Sequence, residues 1–199
     1  MDLDLDYPGI LDTVKSASVQ GRTESHAFLL WYLQHYFRLE EQEAQETVCD
    51  GPDDKGIDGI YLDFNLETIV LFQCKLVQNP NRTLGDTQLK EFAGSIEQFR
   101  EPANVVEIAH TSANPELSKL LNAGKVSKLV EDGFVVKGVF VTNIQRDANA
   151  TSYLETRDDI QLMDRQLLLE KNVPVGPTEP IATPVTFDVS GYDCAEYQI

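Results

Sequence analysis

Two short runs rich in β-branched and aromatic residues, Ile60 to Phe64 and Thr68 to Leu76, stand near the middle of the chain with Asn65, Leu66 and Glu67 between them. That pattern predicts a β-hairpin. Polar groups break the second run. Gln73 and Lys75 lie two apart in a stretch that is otherwise nearly all apolar, so a period of two sets both side chains on one face with Ile69 and Leu71. Burying an amide beside an ammonium is costly unless something there uses them. An even turn, Asn65-Leu66 or Leu66-Glu67, would place Asp58 across from Gln73 or Lys75 on that face, whereas a three-residue loop would send it to the other. The even loop is the expectation.

Helical spacing governs much of the remainder. Thr23 is a plausible N-cap for TESHAFLLWYLQHYF, where Ala27, Leu30, Trp31 and Tyr32 give a broad apolar stripe. Leu89, Phe92, Ala93, Ile96 and Phe99 fall at helical spacing behind a cap at Asp86 or Thr87, predicting a helix that covers the sheet. Residues 103–110 fit helix or strand. Asn114-Pro115 opens a helix that Gly124 ends or kinks, and Val126 to Glu131 makes another. Phe134 to Thr142 reads as a buried strand, Asp147 to Leu154 as a short helix, Ile160 to Met163 as a strand and Asp164 to Lys171 as a closing helix. This alternation predicts parallel pairing on the far side of the hairpin and an α/β fold.

The hairpin is entered through CDGPDDKGIDG, a loop dense in Gly, Asp and Pro. Asp50, Asp53 and Asp54 are turn-forming types. Asp58 differs, because Gly56 and Gly59 flank a carboxylate at a strand start. Gly-Ile-Asp58-Gly, a hairpin and then Gln73-Cys-Lys75 resemble the PD-(D/E)XK nuclease superfamily in its Mrr-like form, where Gln replaces the Glu of the second motif. The surrounding text looks closest to the amino-terminal nuclease domain of abortive-infection phage-resistance proteins. The resemblance implies a restriction-endonuclease-like αβββαβ core, a central mixed sheet flanked by helices, whose first strand must come from the weakly patterned Glu43 to Cys49. It also implies catalytic roles for Asp58, Gln73 and Lys75. A Mg²⁺ ion, with Mn²⁺ as a substitute, would be held by Asp58, Gln73 and the backbone carbonyl of Cys74. Glu24, in the first turn of its helix, either complements the helix dipole or joins as a further metal ligand. Proteins of that family are much longer, which implies a further carboxy-terminal domain. The implied activity is metal-dependent endonucleolytic cleavage of DNA in restriction or phage defence.

Length and composition bound these readings. The 199 residues, 42% hydrophobic, suffice for one sizeable core. The expected layout is an amino-terminal lead-in over 1–22, loosely held with a short helix from Ile10 to Ser18, a nuclease-like domain over 23–171 and a Pro-rich tail or linker over 172–199, with one strand from Val185 to Val189. No apolar run approaches a membrane span and the amino terminus has no basic region, so a cytoplasmic chain without membrane contact is expected. Cys49, Cys74 and Cys194 form neither a disulfide framework nor a zinc spacing. His26 and His35 lack partners at ligand spacing, and Cys74 reads as a small buried hydrophobe facing away from Gln73 and Lys75. There is no Walker-type motif.

Net charge cuts the other way. At −17 the chain as a whole repels nucleic acid. A partner domain, a second subunit or bound divalent ions would supply positive charge, and a homodimer would give two sites for two DNA strands. Arg82, Lys90 and Arg100 are either phosphate contacts or a solvated face. The charge and the neutral Gln73 together motivate the alternative, a catalytically weak nuclease-like fold acting as a recognition or assembly module. RNA as substrate stays open.

Overall fold

A computed structural model describes residues 3–49 and 51–173 of the chain. Its centre is a mixed sheet of four strands in the order β1-β2-β3-β4. Strand β1 (Gly59–Asp63) runs antiparallel to β2 (Thr68–Lys75), β3 (Val135–Thr142) pairs parallel with β2, and β4 (Ile160–Met163) pairs parallel with β3. The helices in chain order are α1 (Ile10–Thr13), α2 (Glu24–His35), α3 (Glu41–Thr47), α4 (Asp86–Phe99), α5 (Pro102–Thr111), α6 (Pro115–Ala123), α7 (Val126–Glu131), α8 (Ala148–Leu154) and α9 (Arg165–Glu170). The α/β class and the helix-flanked mixed sheet match expectation. So does the parallel pairing beyond the hairpin.

Period-two alternation in β2 divides the core into two layers. Ile69 and Leu71 face α4, where Leu89, Phe92, Ala93, Ile96 and Phe99 are all buried, with residues of α5, α6 and α7 behind them. Phe72 and Cys74 face the opposite way, against Phe28, Leu29, Tyr32 and Leu33 of α2. Gly138 of β3 permits the close approach of α4, since a Cβ there would lie 2.6 Å from Phe92 Cε1. Residues 103–110, which fit either state, fall within α5 behind Pro102. Thr23, Asn114, Asp147 and Asp164 each cap a helix through the side chain, whereas the N-cap of α4 is Gly85 instead of Asp86 or Thr87.

Two expectations change. Glu41–Thr47, which overlaps the stretch set aside for a first strand, is helical. Its Glu and Gln residues are strong helix formers, and Gln42–Glu46 and Gln45–Glu41 hydrogen bonds link successive turns. Only Val48 pairs, through an isolated bridge to Gly59. The amino-terminal segment is also firmly seated. Leu5, Ile10 and Val14 are buried against the α2 layer, the Asn143 side chain donates to Leu5 O, and Arg165 pairs with Asp6. Its helical stretch splits into α1 and a 3-10 turn over Lys15–Ala17. Residues 174–199, with the strand expected at Val185 to Val189, lie outside the described residues.

Candidate functional site

The loop that delivers Asp58 is built from special backbone. Asp53, Lys55 and Gly56 have φ of 60°, 59° and 73°, the left-handed region that only Gly enters freely. Side chains secure it. Asp54 accepts from Gly56 N at 2.8 Å, and Asp53 takes the Lys55 ammonium at 2.5 Å and Ala113 N at 2.6 Å. The bond from Lys55 is the main reason the Asp53 carboxyl sits below its usual range, with the Ala113 amide next. Asp53 and Asp54 thus perform turn chemistry. Asp50 lies outside the described residues.

The hairpin tip holds four residues, Phe64 to Glu67, because the ladder closes at Asp63↔Thr68. Asp63 stabilises it by accepting from Asn65 N and Leu66 N. The tip is wider than either two-residue alternative, yet it is even and keeps the register of the Asn65-Leu66 version. The paired ladder ends at Gly59↔Phe72, one residue short of Asp58. The Asp58 backbone is pinned on both sides, its N–H donating to Phe72 O at 2.8 Å and its carbonyl accepting from Cys49 N at 2.9 Å. Its carboxylate reaches across the hairpin, where Oδ2 accepts from Cys74 N at 2.6 Å.

Gln73 stands half-buried on the α4 side of β2, and its Oε1 is buried without a hydrogen-bond partner. A Cβ at Gly56 would lie 3.6 Å from Gln73 Nε2 and 2.9 Å from Ser95 Oγ, so glycine lets the loop, the amide and α4 converge. Lys75 lies exposed at the end of β2. Cys74 gives its backbone to the Asp58 carboxylate while its thiol points to Ser25 O on the α2 side. Cys49 and Cys74 are both buried.

Glu24 opens α2, and its carboxylate accepts from Tyr7 Oη at 3.3 Å and Gln78 Nε2 at 3.4 Å, which ties it to those two side chains. His35 caps its own helix turn through Trp31 O, and Trp31 stacks on its ring. Lys90 pairs with Asp86, and Arg100 with Glu97 and Asp159. A groove of about 640 Å³, lined by Arg22, His26, Glu46 and Glu116 among others, contains none of Asp58, Gln73 and Lys75. Two polar positions of α4 escaped the sequence reading. Ser95 donates to Lys55 O at 2.8 Å, and Gln88, like Gln73, has a buried Oε1 without a partner.

Among the described residues no three His, Cys, Asp or Glu side chains gather as a metal cluster. The Asp58 carboxylate and the Gln73 amide oxygen, which lacks a hydrogen-bond partner, are hard-oxygen donors of the type that suits Mg²⁺ or Mn²⁺. No helix among the described residues is long and apolar enough to cross a membrane. No protein-family model, no curated protein and no solved structure matches the chain.

Proposed function

We propose that the chain is a metal-dependent endonuclease that hydrolyses phosphodiester bonds in DNA, of the kind used in restriction or phage defence. The observation that carries the reading is that the Asp58 carboxylate accepts from the backbone N–H of Cys74, the neighbour of Gln73, while the Gln73 Oε1 is buried without a hydrogen-bond partner. Asp58, Gln73 and the Cys74 carbonyl would hold the ion. When bound, a hard divalent cation stabilises charge on phosphoryl oxygens and activates water. The chain's own contribution is positional. The Cys74 amide holds the Asp58 carboxylate against β2, and Lys75, exposed two residues beyond Gln73, can orient the attacking water or neutralise a phosphate oxygen.

Purified protein incubated with supercoiled DNA and Mg²⁺ or Mn²⁺ tests this, beside Asp58→Ala and Lys75→Ala proteins of matched folding. Metal-dependent nicking that both substitutions abolish is the expected result. An RNA substrate run in parallel tells the two nucleic acids apart. Metal-independent nicking, or nicking that survives both substitutions, would overturn the site. The net charge of −17 favours a second reading, a nuclease-like recognition or assembly module. That reading predicts no cleavage and no metal binding dependent on Asp58.

A further inference from the structure

Helix α4 carries a buried amide oxygen that the fold itself does not use. Gln88 Oε1 and Gln73 Oε1 are both buried without a hydrogen-bond partner. A buried carbonyl is normally paired, so two orphans on facing elements call for a common explanation.

Three observations turn Gln88 towards the hairpin side of the sheet. First, α4 runs antiparallel to β3 and hence to β2. It begins beside Gln145 and Asp147, where Leu84 pairs at the carboxyl end of β3, and ends where Arg100 reaches Val136 O. Second, Gln88 precedes Ser95 by seven residues, which puts both on one stripe and moves Gln88 about 10 Å towards the carboxyl end of β2. Ser95 touches the Lys55-Gly56 turn beside the Gln73 amide. Third, Lys90 lies over the Tyr153 ring of α8, 5.7 Å from its centroid. Two residues are about 200° of helix rotation, so Gln88 is turned away from α8 and towards the hairpin.

We infer that Gln88 is a metal ligand, adding a second neutral oxygen to the divalent-cation site of Asp58 and Gln73. The inference rests on the proposed site and extends its donor set across to α4. An amide oxygen is a hard donor of the kind that Mg²⁺ and Mn²⁺ accept, and a cation satisfies a buried carbonyl as a donor N–H would. One carboxylate with two neutral amides is a weakly charged set. Its affinity therefore responds strongly to any added charge.

Isothermal calorimetry and Mn²⁺ electron paramagnetic resonance on the full chain test the inference without reference to activity. The proteins are wild type, Gln88→Leu, Gln88→Glu and Asp58→Ala, each checked for folding by circular dichroism. Gln88→Leu is expected to weaken Mn²⁺ binding about tenfold, Gln88→Glu to tighten it by a similar factor, and Asp58→Ala to abolish it. If Asp58→Ala abolishes binding while both Gln88 proteins match wild type, Gln88 is not a ligand and the Asp58 and Gln73 site stands. If Asp58→Ala binds as wild type does, or wild type does not bind, the inference and the site beneath it both fall. Should Gln88→Leu fail to fold, the response of Gln88→Glu decides.

Discussion

Asp58 has a structural duty that any account of its chemistry must separate out. Its Oδ2 accepts from Cys74 N at 2.6 Å, a charge-assisted bond across the hairpin. Asp58→Ala removes that acceptor from a partly buried N–H, at about 1–3 kcal/mol. Asp58→Asn keeps an oxygen for the amide and loses only the charge. Urea denaturation should therefore show a clear loss of stability for the alanine protein and less than about 1 kcal/mol for the asparagine protein. Calorimetric metal binding should be lost in both. Equal stability losses would mean that the charge, rather than the acceptor, holds the hairpin. Retained metal binding in Asp58→Asn would remove Asp58 from the ligand set.

At the scale of elements, α4 and β4 are tied at their ends by charge. Arg100, just past α4, bonds Asp159 at 2.5 Å, and Arg157 bonds the same carboxylate at 2.6 Å. The Arg157 hydrogen bond is the main reason the Asp159 carboxyl lies below its usual range, with Arg100 adding to it and partial burial opposing it. The sign follows from linkage. A carboxyl whose folded pKa is depressed stabilises the fold above its unfolded pKa, and that contribution fades as pH falls through the folded value. Urea midpoints for wild type and Asp159→Asn should differ at pH 7 and converge as pH drops below about 4 towards the folded pKa. A gap that stays constant down to pH 2.5 would show that packing, not charge, sets the effect of Asp159.

Elements were legible in the sequence where periodicity and caps agreed. Val126–Glu131 and Ile160–Met163 match their predicted spans, and Asn114-Pro115 opens α6 as its cap chemistry requires. Hairpin parity was legible for the same reason, since a period of two leaves only two faces. At Glu41–Thr47 the first strand implied by the family pattern was set against local propensity, which reads the acidic run as a helix end, and propensity won. The lead-in misled because its acidic residues hid Leu5, Ile10 and Val14, whose burial depends on where α2 sits. Gln88 could not be found from sequence at all. Whether that amide is exposed or sealed is decided by the docking of α4 on the sheet, which no local pattern encodes.

The whole molecule carries 16 Lys and Arg against 33 Asp and Glu, giving −17. Self-repulsion on that scale destabilises the compact state, and added salt relieves it within a Debye length of about 8–10 Å. Sodium chloride raised from 20 to 300 mM should therefore increase the melting temperature by several degrees, about 1 kcal/mol of stability. Specific binding adds a separate increment. A few millimolar MgCl₂ at matched ionic strength should raise the melting temperature further in wild type, by the linkage between ligand and folded state, but not in Asp58→Ala. The same field bears on DNA. With carboxylates outnumbering cations about two to one, affinity for duplex should be weak in monovalent salt alone and improve with Mg²⁺, the opposite of a basic DNA-binding protein in which added Mg²⁺ only competes. Filter binding across a Mg²⁺ titration at fixed ionic strength measures this. A monotonic loss of affinity with Mg²⁺ would mean that DNA is held by a local basic patch, and that the ion at Asp58 plays no part in bringing it there.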